Sequence, residues 1–345
     1  MLRRVRDFLF DFRIGGTPGG PPVSDNQCIL VHDSPRETAD DRADARAMLR
    51  DFFWRPQEFH ALCRLGIGKS AVSIEFPSPL PSGNAAVDRG TLDWYPARDS
   101  AGSLCRGKAV LALDILQANN VIASFVARSF SKAGMHGFVL HMPHSQQRGG
   151  GDEYDYADFL PGVRQAMADA RRARDVILAL PGVVGPVAIQ GTSFGGFIAS
   201  VSASFDHAFN PVMLALSGGD VFRVMTRGKA DAALLRQHLG DAGLRSDHAL
   251  EKALRRTEPL RLVHRLNPAR TWLYSARRDQ VVPVECTRAL VAAAGIRKGH
   301  HYRMSGCHYT CALNYSRPLT QMMQFVRHST PGQVLCPPLV SAANS

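Results

Sequence analysis

From about residue 70 the chain alternates short apolar runs with longer stretches of helical period, the pattern of a sheet wound with crossover helices. Strands are predicted near Val72 to Phe76, Thr91 to Tyr95, Ala109 to Leu113 and Gly137 to His141, and again at Val187 to Gln190, Pro211 to Leu216, Thr271 to Ser275 and His301 to Met304. Helices are predicted over 119–133, ending before Gly134, and from Tyr156 to Leu180. In the second of these, Phe159, Val163, Met167, Ala170, Val176 and Ile177 lie on or near one face, with arginines and aspartates opposite. A further helix opens near Gly196. Between Asp220 and Leu266 the text is helical, charged and rich in arginine, an excursion from the sheet that reads as a helical lid over about 221–265.

The chain before residue 70 reads differently. Residues 15–24 are a Gly/Pro linker that cannot hold regular structure, so the first fourteen residues are separable from the rest of the chain. Ser34, Pro35 and Glu37 supply an N-cap, a first-turn proline and a capping-box acid, and Met48, Leu49, Phe52 and Phe53 carry the helical period onward. The expected organisation is a helical arm and linker over 1–69, an α/β domain over 70–328 and a tail over 329–345. In MLRRVRDFLFDFRI the apolar stretch is broken by Asp7, Asp11 and Arg13, which argues against an export signal. Leu2, Val5, Leu9 and Phe12 share a helical face that either packs on the domain, the favoured reading, or touches a membrane surface.

With 45% hydrophobic and 21% charged residues in 345, the chain falls among globular proteins and can bury a sizeable core, which excludes the disordered and collagen-like classes. The formal charge of +11 raises the question of nucleic acid. Its basic residues are scattered among acids, and zinc-finger, RNP-type and aromatic-plus-basic motifs are missing, so no nucleic-acid partner is expected. Seven cysteines without a C-x-x-C pair do not resemble a disulfide framework and suit a reducing compartment, the cytoplasm. Cys307, His308 and Cys311 lack the second pair that a structural zinc site needs, so no metal is expected.

The sharpest local signal is VAIQGTSFGG, residues 187–196, where Gly191, Ser193 and Gly195 form G-x-S-x-G between a strand and a helix. In such a nucleophile elbow the small residues let strand and helix pass closely. The following amide, that of Phe194, can then help hold an oxyanion. Downstream lie Asp279 in ARRDQVVP and His308 in MSGCHYT, each after a predicted strand. A serine hydroxyl needs a base, and the base needs a group that fixes its tautomer, so these residue types suit nucleophilic catalysis. Asp220 is a rival acid, and His300 and His301 are rival bases.

In the elbow, in the order Ser, acid, His, and in the strand order of residues 70–328, the chain resembles the α/β-hydrolase superfamily, in its esterase and dienelactone-hydrolase-like branch. The resemblance implies an α/β-hydrolase sheet and a serine hydrolase acting on a small-molecule ester through Ser193, Asp279 and His308, with no cofactor. A peptidase or amide hydrolase and a catalytically silent binding protein are the alternatives. The chain departs from the family where a second oxyanion donor is usual: residues 113–117 read LDILQ instead of carrying a His-Gly pair, which leaves the amide of Ile115 or Leu116, with Leu116 preferred. By the same resemblance, His141 and His144 in HMPHSQQRGGG could face substrate.

Overall fold

The computed structural model describes residues 22–35, 38–65, 71–116, 119–143, 145, 148–149, 155–311 and 315–329. The first fourteen residues, Glu37, His144 and residues 330–345 of the expected tail lie outside them.

Ten strands form one sheet in the order β1-β2-β3-β4-β6-β5-β7-β8-β9-β10 among the described residues. They are β1 (Gln27–His32), β2 (Glu58–Leu65), β3 (Val72–Pro77), β4 (Arg89–Tyr95), β5 (Gly107–Leu113), β6 (His136–Leu140), β7 (Val183–Thr192), β8 (Val212–Ala215), β9 (Thr271–Ala276) and β10 (His301–Met304). The first four run as an antiparallel meander that meets β6 antiparallel, and the six from β6 to β10 are mutually parallel. Along β5 the pleat sends Ala109, Leu111 and Leu113 to one core and Val110 and Ala112 to the other. A parallel strand covered on both faces is apolar throughout, which is why these runs stand out in the sequence.

Helices α1 (Ala43–Asp51), α2 (Val121–Lys132), α3 (Phe159–Leu178), α4 (Phe194–Ala203), α5 (Val221–Arg227), α6 (Asp231–Asp241), α7 (Asp247–Leu254), α8 (Val284–Ala293) and α9 (Ser316–His328) complete the described part. Val126 and Phe130 of α2 pack on one face of the sheet with Met322 and Val326 of α9. The core of the other face includes Met48 of α1, Val176 of α3, Ile198 of α4 and Leu290 of α8. No described helix is long and apolar enough to cross a membrane.

Two expectations are corrected. The arm is not purely helical: β1 and β2 extend the sheet within it. In β2, buried Phe59, Ala61 and Cys63 alternate with exposed Glu58, His60 and Arg64, a two-residue period within a stretch read for helix alone. The arm's helix also starts later than Ser34, because Ser34 donates from its amide and hydroxyl to Asp175 at 3.0 and 2.8 Å instead of capping. Second, the side of α3 expected to carry arginines and aspartates opposite the apolar face does carry them, but the helix is not simply amphipathic, because much of that side is covered as well. Asp169, Arg171, Arg172 and Asp175 are buried, since the arm and neighbouring loops cover them. Each is matched: Arg148 with Asp169 at 2.6 Å, Arg171 with Asp175 at 2.9 Å and Asp206 at 2.8 Å, and Arg172 with Asp33. A buried charge survives only when so paired.

Candidate active site

Ser193 stands between β7 and α4 with φ 52° and ψ −115°, a backbone that L-residues rarely adopt. The turn is possible because its neighbours lack side chains. A Cβ on Gly191 would come within 2.2 Å of the Gly195 carbonyl oxygen, and one on Gly195 within 2.4 Å of the Leu113 oxygen. Strand β7, helix α4 and the end of β5 therefore meet at a separation only glycine allows. The positive end of α4 also points its first amides toward the serine.

The sheet brings two further side chains to this point. Asp279 follows β9 and His308 follows β10. Their loops are joined by backbone bonds, from the Arg277 amide to the Met304 oxygen at 3.0 Å and from the Arg278 amide to the Gly306 oxygen at 3.1 Å. Ser193 Oγ lies 2.9 Å from His308 Nε2, and His308 Nδ1 lies 3.0 and 2.8 Å from the two Asp279 oxygens. Asp279 Oδ1 also accepts from the amides of Val281 and Val282, both at 3.0 Å, which fixes the carboxylate. Asp279 and His308 are buried.

The rivals are occupied elsewhere. Asp220 caps α5, accepting from the Arg223 amide at 3.1 Å and pairing with its guanidinium at 2.9 Å. His301 Nε2 sits 2.8 Å from Ser275 Oγ within the strands, and His300 stacks on Trp272 with centroids 4.5 Å apart. His141 is buried, with Nε2 3.1 Å from Asp93 Oδ2, and is not part of the cavity wall beside Ser193.

That cavity has a volume of about 570 Å³. Ser193, Phe194, Leu116 and His308 border it, with Ile115 beside them. The Ile115 amide, however, is engaged, donating to Asp114 Oδ1 at 2.9 Å. Asp114 is a residue that the sequence did not disclose. Its Oδ1 also accepts from the Ala123 amide at 3.2 Å, tying the end of β5 to the start of α2. Burial pushes its carboxyl up to about 7, against the opposing pull of these amides. An Asp between an apolar strand and a helix was the available signal. On the wall of the same cavity, Tyr309 is hydrogen-bonded to Asp231 at the start of α6; burial, then this bond, push the phenol up to about 12.

The sequence matches no protein-family model and no curated protein. Among solved structures, the chain is similar to an acetyl xylan esterase from Paenibacillus sp. R4, with a TM-score of 0.57 at 15% identity over 86% of this chain and 97% of that one. The fold is that of the α/β-hydrolases. Two more structures with this α/β-hydrolase fold are a 2,6-dihydroxy-pseudo-oxynicotine hydrolase and a Mycobacterium tuberculosis puromycin-hydrolyzing peptidase, both at a TM-score of 0.53. The first is 14% identical over 75% of this chain and 68% of the other; the second is 15% identical over 79% of this chain. The match spans about half of the peptidase, 51% of its length.

Proposed function

We propose that this protein is a serine hydrolase that cleaves a carboxylic ester through an acyl-enzyme. The observation that carries the reading is the relay from Ser193 Oγ through both ring nitrogens of His308 to Asp279, built on a strained elbow. In the proposed cycle, Ser193 Oγ attacks the ester carbon as its proton passes to His308 Nε2. The amides of Phe194 and Leu116 receive the negative oxygen, and Asp279 stabilises the imidazolium. His308 returns the proton to the departing alcohol, and a water activated by the same imidazole frees the acid. The cycle requires no metal or cofactor.

Esters are favoured over amides because an alkoxide leaves more readily than an amine. A reducing, cytoplasmic setting belongs to the same reading and is supported by six free cysteines among the described residues. Ser193→Ala is expected to abolish covalent labelling by a fluorophosphonate while preserving the circular dichroism spectrum. Labelling that persists at another residue sinks the assignment. For the bond type, kcat/KM for an alkyl ester is compared with that for the amide of the same acid. A ratio near one, or below it, transfers the proposal to an amidase or peptidase.

A further inference from the structure

The chemistry of the cavity wall narrows the substrate, given the serine-hydrolase reading on which this step rests. Phe125, Phe159 and Phe197 contribute from helices α2, α3 and α4, while Val224, Met225 and Leu235 contribute from α5 and α6. The polar groups on the wall are largely engaged with one another. Tyr309 bonds Asp231, Tyr315 bonds Thr192 and lies 3.3 Å from Gln190 Nε2, and Thr257 Oγ1 donates to the Leu254 oxygen at 3.1 Å. No lysine or arginine lines the cavity among the described residues, although the chain carries a net +11.

Two substrate classes fit such a wall badly. An acyl group bearing a second carboxylate would meet Asp231 and find no cation there, and a charge taken from water without a partner is strongly disfavoured. A sugar or peptide would strand hydroxyls or amides against apolar side chains. A hydrocarbon chain strands no hydrogen-bonding group on entering and gains with each methylene removed from water, net of the conformational freedom it gives up. At about 30 Å³ per water-sized group, a chain of about ten carbons fills roughly half of the 570 Å³.

We propose that the cavity under α5 and α6 is an acyl chamber, and that the substrate is an ester of an uncharged hydrocarbon acid of medium length. Val224 and Leu235 set the length accepted. Both lie on the lid side and face the same space as Ser193.

The test uses the full-length protein with one alcohol esterified to acetic, butyric, octanoic and decanoic acids, beside the monoester of adipic acid. Expected is a rise in kcat/KM of about two- to fourfold per added methylene up to octanoate or beyond, and turnover of the adipate monoester far below the trend of the uncharged series. Val224→Trp and Leu235→Trp should each lower the decanoate-to-butyrate ratio at least tenfold. Met225→Ala, which enlarges the space, should raise that ratio. A flat or falling profile in a protein that turns over acetate overturns the chamber and leaves the serine-hydrolase reading standing. Fluorophosphonate labelling of Ser193 without turnover of any chain length also counts against the chamber alone. Loss of both labelling and turnover removes the underlying reading, and the chamber with it.

Discussion

Asp279 and Asp220 both follow strands of the sheet, yet their carboxylates are employed differently. Asp279 faces His308 and two backbone amides, whereas Asp220 caps a helix and pairs with Arg223. Asp279→Asn should therefore lower turnover by about 10⁴ if the relay behaves like the serine-protease case, while Asp220→Asn should leave kcat within a few-fold and lower the melting temperature slightly. The reverse result, read by steady-state kinetics, would move the acid to Asp220. The relay was legible because chain order and motif carry it. Asp114 was not, because a carboxylate tying a loop by backbone amides has no fixed spacing. Its pH signature is specific. With its carboxyl raised to about 7, the folded chain keeps a proton that the unfolded chain releases, so folding stability falls as pH rises from about 4 through 7. Asp114→Asn keeps an acceptor for the Ile115 amide and removes this slope. Melting curves should show the variant gaining on the natural chain at pH 8 relative to pH 4.5; a pH-independent difference refutes the account.

At the scale of elements, the helical excursion between β8 and β9 divides into two parts with different attachments. Helices α5 to α7 supply cavity wall through Val224, Leu235 and Leu254. The stretch after α7 is tied into the frame: Glu258 accepts from the amides of Asp220 and Val221 at 2.9 and 2.7 Å, Leu262 and Val263 are fully buried, and Arg265 bonds the oxygens of Ser204 and Phe205. The expected lid over 221–265 thus includes a stretch that anchors. Replacing residues 223–256 with a short linker should preserve labelling by a small fluorophosphonate and change KM and acyl preference more than labelling. Equal loss of both, measured on one preparation, would make the helices part of the catalytic frame. The excursion was visible from its length and periodicity. Its division was not, because a 3₁₀ turn anchored by one glutamate looks like any charged loop.

Over the whole molecule, the parallel half of the sheet was legible and the antiparallel half less so. Strands buried on both faces announce themselves as apolar runs. Strand β1, with only Val31 buried, carries little signal, and β2 hides its alternation among charges. The buried ion pairs of α3 were hidden for a related reason, since arginine and aspartate in a helix look the same whether water or another segment covers them. Breaking one pair shows the difference: Arg171→Ala removes the buried cation shared by Asp175 and the half-buried Asp206, leaving Asp175 with Arg174 at 2.8 Å, and should cost about 3 kcal/mol in urea unfolding. A cost below about 1 kcal/mol would return that face to solvent. The three members of the relay also differ in how firmly the sheet holds them. Ser193 leaves a strand flanked on both sides, whereas His308 hangs from β10, four residues long and, among the described residues, paired with β9 alone at the rim of the sheet. Rim strands open at a smaller free energy than the centre. Brief excursions of β10 would carry the imidazole away from an intact serine, so under rising urea the nucleophile should fall silent while the ellipticity is still native, and the amides of His301 to Met304 should exchange with deuterium ahead of those of β5 and β7.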